Sequence, residues 1–349
     1  MLRRHWLIAV SLAAAPSGWA LPLATLRFPR DHGAHPALRT EWWYVTGALA
    51  AAGREFGFQV TFFRTRVDAT QRMQSNFAAK QLVFAHAALT DVQAGKLLHD
   101  QRIAREGFSI ADAAKGDTRL KLRDWSLVRD AQGAFVAEVP AGEFTLRLRC
   151  APTQPVLLQG DAGLSRKGPD AAQASYYYSV PQLAASGEVL LGGRALPVTG
   201  KAWLDHEWSE ELLHPEAVGW DWIGMNLHDG SALTAFRLRR KDGSTLWDGG
   251  SFRAASGSTY IARPGETEFR AGRRWTSPLS QASYPVEWRV RTPADFYTVR
   301  AVIDNQELDS RASTGAIYWE GLADLFDSNG RQVGRGYLEM TGYAQRLRM

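Results

Sequence analysis

The sequence predicts an all-β protein built of two tandem antiparallel barrels that are related by internal duplication. Three observations predict this fold. Apolar and polar residues alternate with a period of two along many short segments, which is the pattern of half-buried strands. Glycine, proline, aspartate and asparagine bound these segments and predict turns between them. A stretch of the first half also aligns without gaps on a stretch of the second half, which indicates a repeat.

The first twenty residues have the parts of a secretory signal peptide. Basic residues at positions 3–5 precede the apolar run WLIAVSLAAA, and the small residues Gly18 and Ala20 lie at positions −3 and −1 of a cleavage site after Ala20. A run of about ten apolar residues is too short to span a bilayer. The alternatives are an uncleaved anchor or a buried N-terminal helix. We expect export, with the mature protein in the periplasm or another exported location.

The alternating segments lie in both halves of the chain. They include FGFQVTFF (56–63), EFTLRLRC (143–150), PVEWRVR (285–291) and DFYTVRAV (295–302). In LHDGSALT (227–234) an Asp-Gly pair stands between apolar residues, which is a strong hairpin signal. A chain with many hairpins is expected to form antiparallel sheets.

The repeat matches the opening and the closing strand of each half. EWWYVTGAL (41–49) aligns on GWDWIGMNL (219–227), and GKAWLDH (200–206) aligns on GRGYLEM (334–340). Coincidence among aromatic strands is the alternative, but the matches keep the same order at comparable spacings, which favours duplication. Two meandering sheets with similar first and last strands can each close as an up-and-down barrel.

The repeat also sets the predicted domain organisation. Residues 1–20 are the signal peptide, residues 21–212 form the N-terminal barrel, and residues 213–349 form the C-terminal barrel. The polar segment SEELLHPEAV (209–218) is the predicted junction.

Composition argues against several classes of function. The formal net charge is +5, and the densest basic cluster, RLRRK (237–241), alternates with leucine as on the wet face of a strand. We therefore expect no nucleic-acid partner. HEWSE (206–210) lacks the second histidine of a zinc-protease motif. DHGAH (31–35) could bind a metal, but Gly33 and Pro36 favour a loop held against a barrel mouth. The sequence therefore predicts no metal and no cofactor.

Five motifs together resemble the AttH/carotenoid 1,2-hydratase family. They are FPRDHGAHPALRTEWWYVTG (28–47), SYYYSVPQL (175–183), GKAWLDHEWS (200–209), GWDWIGMNL (219–227) and GYLEMTGY (336–343). The resemblance covers essentially the whole mature chain. It implies two tandem lipocalin-like barrels. It implies an activity less directly, because the family includes hydratases of acyclic carotenoids, cyclases and exported members of unknown role.

The resemblance also points to particular residues. In the hydratases a His-x-Trp motif and a downstream aspartate have an acid–base role, and the matching residues here are His206, Trp208 and Asp221. The hydratases also use a tyrosine near that aspartate. This chain has Trp220 and Trp222 there and no tyrosine.

These residue types suit the hydration of an isolated alkene. A carboxylic acid desolvated between Trp220 and Trp222 would have a raised pKa and keep its proton, so Asp221 is the candidate acid. His206 is the candidate base for the attacking water. Trp208 and Trp220 would stabilise a cation by about 0.5–2 kcal/mol per contact. The hypothesis requires His206 and Asp221 to approach one cavity, within a water's reach of each other.

Further residues are predicted to contact the substrate, and other interpretations stay open. The predicted substrate-binding residues are Trp220, Trp222, Trp43, Tyr177 and Glu41. Asp205 has a counterpart in the repeat, Glu339, so it has a structural and a functional interpretation. The expected function is binding of an apolar isoprenoid, polyene or lipid-like molecule, with hydration, isomerisation or cyclisation at the junction between the barrels. The first alternative is a non-catalytic carrier of a lipid or hydrophobic metabolite, with a membrane or an ABC transporter as partner. An envelope scaffold without a ligand is the weaker alternative.

Overall fold

The computed structural model describes residues 20–211 and 213–347. The predicted signal peptide lies outside these residues except for Ala20. The predicted all-β fold is confirmed: helical structure in the described part is limited to two single 3₁₀ turns, Arg30–His32 and Asp68–Thr70. None of the described helices has the length and apolar character needed to cross a membrane.

The first sheet contains thirteen antiparallel strands. They are β1 Thr40–Ala51, β2 Arg54–Arg66, β3 Gln81–Asp91, β4 Lys96–Arg105, β5 Ala111–Ala113, β6 Arg119–Leu122, β7 Trp125–Arg129, β8 Phe135–Pro140, β9 Phe144–Ala151, β10 Leu157–Leu158, β11 Leu164–Arg166, β12 Ala174–Leu191 and β13 Arg194–Ser209.

The remaining strands form a second sheet, apart from the separate pair β19–β20. They are β14 Gly219–Leu227, β15 Ala232–Arg239, β16 Thr245–Arg253, β17 Thr259–Ala262, β18 Glu268–Ala271, β19 Arg274–Thr276, β20 Ser283–Pro285, β21 Glu287–Arg291, β22 Phe296–Ala301, β23 Glu307–Ser310, β24 Ala316–Phe326 and β25 Gln332–Met340.

In each sheet the strand that opens the repeat pairs with the strand that closes it. The first sheet runs β4-β3-β2-β1-β13-β12-β9-β8-β7-β6-β5, and its two ends approach each other to give a nearly closed barrel. In the second sheet β14 lies between β15 and β25. The registers agree as well, because Val45 faces Leu204 in the first sheet and Ile223 faces Leu338 in the second. These two pairs are equivalent in the sequence repeat.

Alternation along the strands divides the side chains between barrel interiors and the junction. Separate apolar cores fill the two barrels. A third buried cluster, which includes Tyr44, Trp203, Trp222 and Tyr337, lies between them. There β1 packs against β25 and β13 packs against β14. The opening and closing strands of both barrels therefore form the junction.

Gln182 joins the two barrels through hydrogen bonds. It lies at the irregularity of β12 between Val180 and Leu183 and has a φ of 56°. Its side-chain amide donates to the carbonyls of Leu227 at 2.9 Å and Ser231 at 2.7 Å. Because these carbonyls belong to the second barrel, the bulge in β12 fixes how that barrel sits on the first.

Candidate functional site

A cavity of about 720 Å³ lies at the junction of the barrels. Its apolar wall includes Trp42, Tyr44, Phe63, Leu82, Phe84, Tyr177, Trp220, Trp222, Phe236 and Leu238. Its polar wall includes His86, Lys167, Asp205, Glu207, Glu320 and Glu339. A concave aromatic surface with a few converging polar groups is typical of sites for small apolar molecules.

The structure divides the predicted site residues between the cavity and the barrel interiors. Trp220, Trp222 and Tyr177 line the cavity. The other predicted residues do not line it: Glu41, Trp43, His206, Trp208 and Asp221. All five of these side chains are buried, with exposures of 2% or less.

The expectation that His206 and Asp221 approach one cavity is wrong. His206 lies inside the first barrel, where its Nε2 is 2.9 Å from Glu41 Oε1. Asp221 lies inside the second barrel, where it accepts hydrogen bonds from Arg237 Nε at 2.7 Å and Tyr343 at 2.8 Å. Successive residues of a strand point to opposite faces. The tryptophans on either side of Asp221 therefore face the junction while its carboxylate faces away from it.

Trp43 and Trp208 also have different neighbours from those expected. Trp43 stacks on the His206 ring with centroids 4.5 Å apart, and Trp208 stacks on the His35 ring at 4.0 Å. Glu41 forms a buried ion pair with Arg64 at 2.8 Å. These aromatic and charged groups therefore pack against one another inside the first barrel and do not contact the cavity.

Asp205 is one of the acids that the first barrel presents to the cavity. It is 4% exposed and accepts hydrogen bonds from Tyr177 at 2.7 Å, Trp203 at 2.7 Å and Ser179 at 2.5 Å. Burial raises the pKa of Asp205 to about 7, although the three donors act in the opposite direction. Near neutral pH this carboxyl group can therefore hold or accept a proton.

Glu339 and Glu320 are the acids that the second barrel presents. They face each other as direct partners on β25 and β24. Burial raises the pKa of Glu339 to about 7, and the negative charges of Asp205 and Glu207 across the junction add to this. Burial, followed by the charge of Glu339, raises the pKa of Glu320 well above its usual range. Two facing carboxylates repel each other, so the pair retains a proton at neutral pH.

Lys167 and Glu207 form a buried ion pair on the same wall. Their Nζ and Oε1 atoms are 3.0 Å apart, and Ser175 also donates a hydrogen bond to Glu207. The Lys167 ammonium lies over the rings of Phe236 at 4.2 Å and Tyr177 at 4.6 Å. The cavity thus contains Glu207, whose charge is balanced by the Lys167 ammonium, beside Asp205, whose partners are uncharged hydrogen-bond donors.

The sequence contained a partial signal for these acids. Asp205 and Glu339 are equivalent in the repeat, and this recurrence leaves both a structural and a functional interpretation open. It also marks the equivalent faces of the two closing strands, which meet at the junction. Glu320, Glu207 and Lys167 were missed, because no motif or spacing connects them with the cavity.

The fold and the cavity define a class of protein: two fused lipocalin-like barrels with an acidic, aromatic cavity between them. The chain belongs to the AttH-like family, whose model matches residues 20–343. No curated protein matches the chain by sequence.

Solved structures agree with this assignment. The chain is similar to an AttH-type protein from Nitrosomonas europaea, with 50% identity, a TM-score of 0.87, and coverage of 93% of this chain and 99% of that one. It shares its fold with kievitone hydratase from Nectria haematococca at 12% identity, a TM-score of 0.70 and coverage of 92% and 94%. It also resembles CghA at 12% identity, a TM-score of 0.53 and coverage of 88% and 90%.

Proposed function

We propose that the chain binds an apolar isoprenoid, polyene or lipid-like molecule in the cavity between the barrels and catalyses hydratase-type proton chemistry on it. One observation carries the proposal: Asp205, Glu320 and Glu339, whose pKa values are all raised, line a single aromatic cavity. A carboxylic acid with a pKa near the working pH is suited to general acid–base catalysis.

In the proposed reaction the Glu320–Glu339 pair is the acid. Its proton adds to one carbon of a C=C bond and leaves a carbocation on the other carbon. Trp220 and Trp222 line the cavity, and the faces of such rings stabilise a cation. Water then attacks the cation, and the Asp205 carboxylate accepts the proton that this water loses. Transfer of one proton from Asp205 back to the Glu320–Glu339 pair through solvent restores the starting state, so that the net change is addition of water to the double bond.

The same groups can carry out the related reactions. Loss of a different proton from the cation to Asp205 moves the double bond, and attack by a second alkene closes a ring. Tyr177 donates its hydrogen bond to Asp205 at 2.7 Å and accepts one from the Trp222 indole at 3.3 Å. It therefore holds the base and an aromatic wall in a fixed relation. His206 and Asp221 have no part in this scheme, because they do not line the cavity.

A carrier function is the second candidate. The predicted signal peptide favours it, since an exported protein could escort an apolar molecule through the envelope to a membrane or an ABC transporter. In that case the cavity would hold its ligand unchanged, and the acids would only satisfy the hydrogen-bond donors around them.

The experiment begins with mass spectrometry of the lipids that co-purify with the exported protein. The same analysis is then applied to the Asp205→Asn and Glu339→Gln variants, with Glu143→Gln as a matched control. Glu143 is an exposed carboxylate paired only loosely with Lys96 at 3.4 Å.

Three results are distinguishable. Loss of conversion with retained ligand in Asp205→Asn and Glu339→Gln, but not in the control, supports catalysis. An unaltered ligand in every sample supports the carrier. Full conversion by a double Asp205→Asn, Glu339→Gln variant contradicts the proposed roles of both acids.

A further inference from the structure

A second cluster of polar side chains lies inside the first barrel, away from the cavity. It consists of His35, Glu41 and His206, whose ligand-type atoms lie within 4.8 Å of one another. His35 Nδ1 is 2.8 Å and His206 Nε2 is 2.9 Å from the same oxygen, Oε1 of Glu41. Two imidazole nitrogens and one carboxylate oxygen are the ligand types of a zinc site.

The outer hydrogen-bond partners direct both imidazoles toward a common point. His35 Nε2 is 3.3 Å from Asp31 Oδ1, and His206 Nδ1 is 3.1 Å from the Tyr178 hydroxyl. When these outer nitrogens carry the protons, the lone pairs of His35 Nδ1 and His206 Nε2 face Glu41. Metal-binding histidines are held in this way, with the second nitrogen donating to a carboxylate or another acceptor.

The remaining hydrogen bonds of the cluster are satisfied in the same arrangement. The Tyr178 hydroxyl accepts from His206 and donates to His32 Nδ1, which is 2.7 Å away. Arg64 Nε donates to Oε2 of Glu41 at 2.8 Å, and the backbone N–H of His35 donates to the same atom at 2.9 Å. The same N–H also lies 3.1 Å from Oε1, but Oε1 has two lone pairs, so one remains to serve as a ligand once the two histidine protons have moved outward.

Aromatic packing fixes the orientation of both rings. Trp208 stacks on His35 with parallel planes and centroids 4.0 Å apart. Trp43 stacks on His206 at 4.5 Å with an angle of 22° between the planes. Ligands held by packing and by outer hydrogen bonds need little reorganisation when they bind a metal.

The charges and the access to the cluster are compatible with a cation. Glu41 and Asp31 supply two negative charges; the buried Arg64 pairs with Glu41 at 2.8 Å, and the exposed Arg30 lies 3.6 Å from Asp31. The His35 side chain retains 14% exposure, whereas those of Glu41 and His206 are fully buried. His35 therefore marks the side of the cluster that lies nearest to solvent.

We propose that His35, Glu41 and His206 bind one divalent transition-metal ion, with Zn²⁺ preferred. His35 belongs to the segment before β1, Glu41 to β1, and His206 to β13. A shared ion would fasten the N-terminal segment to the two central strands of the first barrel. This binding does not depend on the chemistry proposed for the cavity.

The test measures metal binding directly on the full mature chain. The protein is stripped with a chelator and dialysed, and Zn²⁺ is then titrated by calorimetry. Co²⁺ is added in parallel to record the visible absorption of a site with nitrogen ligands. We expect one ion per chain and a rise in thermal stability on Zn²⁺ addition. Glu41→Gln and His206→Gln should weaken binding at least tenfold.

Two further variants separate ligation from folding. Asp31→Asn removes the carboxylate that faces His35 Nε2, while an amide oxygen can still accept the Arg27 backbone N–H; it should weaken Zn²⁺ binding by about 10–100-fold in a folded protein. His228→Gln alters an exposed histidine and should leave the affinity unchanged. The proposal is overturned if the wild type binds no ion, or if Asp31→Asn and His206→Gln bind Zn²⁺ as tightly as the wild type does.

Discussion

Glu320 and Glu339 face each other as cross-strand partners on β24 and β25, and both line the cavity between the barrels. Like charges placed directly opposite each other on a sheet destabilise it. The pair avoids this cost by retaining a proton, as the raised pKa values of both groups indicate. The Glu320–Glu339 pair therefore holds a proton in the same cavity that Trp220 and Trp222 line.

The first prediction concerns the pH dependence of stability that Asp205 causes. Its pKa is raised from 3.8 to about 7 in the folded protein, so the folded state binds this proton more tightly than the unfolded state does. The stabilisation is present below pH 3.8 and is lost as pH rises toward about 7. Relative to Asp205→Asn, the wild type should lose at most about 4 kcal/mol across this range.

Urea denaturation of both proteins at several pH values measures this difference. Titrating groups away from the junction contribute equally to both proteins and cancel, whereas Glu339, whose pKa the Asp205 charge raises, contributes to the measured difference. A constant difference in unfolding free energy from pH 4 to 8 would show that Asp205 does not have a raised pKa.

The second prediction is that protonation of His86 destabilises the folded protein at low pH. Burial lowers the pKa of His86 from 6.5 to about 3, and its nitrogens contact Tyr318 and Ser313 hydroxyls, both at 2.8 Å. The unfolded chain binds this proton more tightly than the folded chain does. The stability that neutral His86 contributes is therefore complete above pH 6.5 and is lost as the pH falls toward about 3. In thermal denaturation, the difference in Tm between wild type and His86→Gln should be smaller at pH 4.5 than at pH 7.5. A difference that widens on acidification would contradict the assignment.

The third prediction compares two carboxylates. Glu41 is fully buried and forms hydrogen bonds with Arg64, His35 and His206. Removing one partner of a buried ion pair leaves an uncompensated charge, so Glu41→Gln should destabilise the protein by about 3–5 kcal/mol. The exposed Glu143 is the control, and Glu143→Gln should change stability by less than about 1 kcal/mol. Both variants are compared with the wild type by chemical denaturation after a chelator has removed bound metal. Equal changes in the free energy of unfolding would mean that the buried network adds no stability.

The fourth prediction concerns Gln182. In Gln182→Ala the carbonyls of Leu227 and Ser231 lose their side-chain donor. Each carbonyl keeps one backbone donor, the N–H of Gly230 or of Leu227, so the variant loses two side-chain hydrogen bonds worth about 0.5–1.5 kcal/mol each. The free energy of unfolding should therefore fall by about 1–3 kcal/mol. Exposed Gln132 provides the control, as Gln132→Ala breaks no contact between the barrels. Hydrogen exchange should place the loss of protection at β14 and β15, and a loss confined to β5 and β6 would refute the assigned role of Gln182.

Much of the fold could be predicted because strand alternation and the repeat are local signals. The aligned motifs correctly indicated which strands are equivalent, and Val45–Leu204 and Ile223–Leu338 occupy equivalent registers. The site was predicted less well. Asp221 was grouped with its neighbours Trp220 and Trp222, although alternation places it on the opposite face of the strand.

The other omissions have a different physical reason. Glu320 becomes significant only because it faces Glu339 across a strand pair and because both meet Asp205 across the junction. Those contacts depend on how two barrels pack, and no periodicity within one strand encodes that packing. The repeat indicated that Asp205 and Glu339 are equivalent, but it did not indicate that both side chains line the cavity between the barrels.

The packing of the barrels has a consequence for their origin. The opening strand of each barrel packs against the closing strand of the other: β1 against β25, and β14 against β13. Tyr44 contacts Trp222, its equivalent in the repeat, with ring centroids 5.4 Å apart. Contacts that exchange in this way, with equivalent residues touching, are those of an isologous two-fold interface. The chain thus has the geometry of a homodimer fused into one polypeptide. In such an arrangement the equivalent positions of the two copies face one shared space, and here they place an aspartate from one copy and a glutamate from the other in the same cavity.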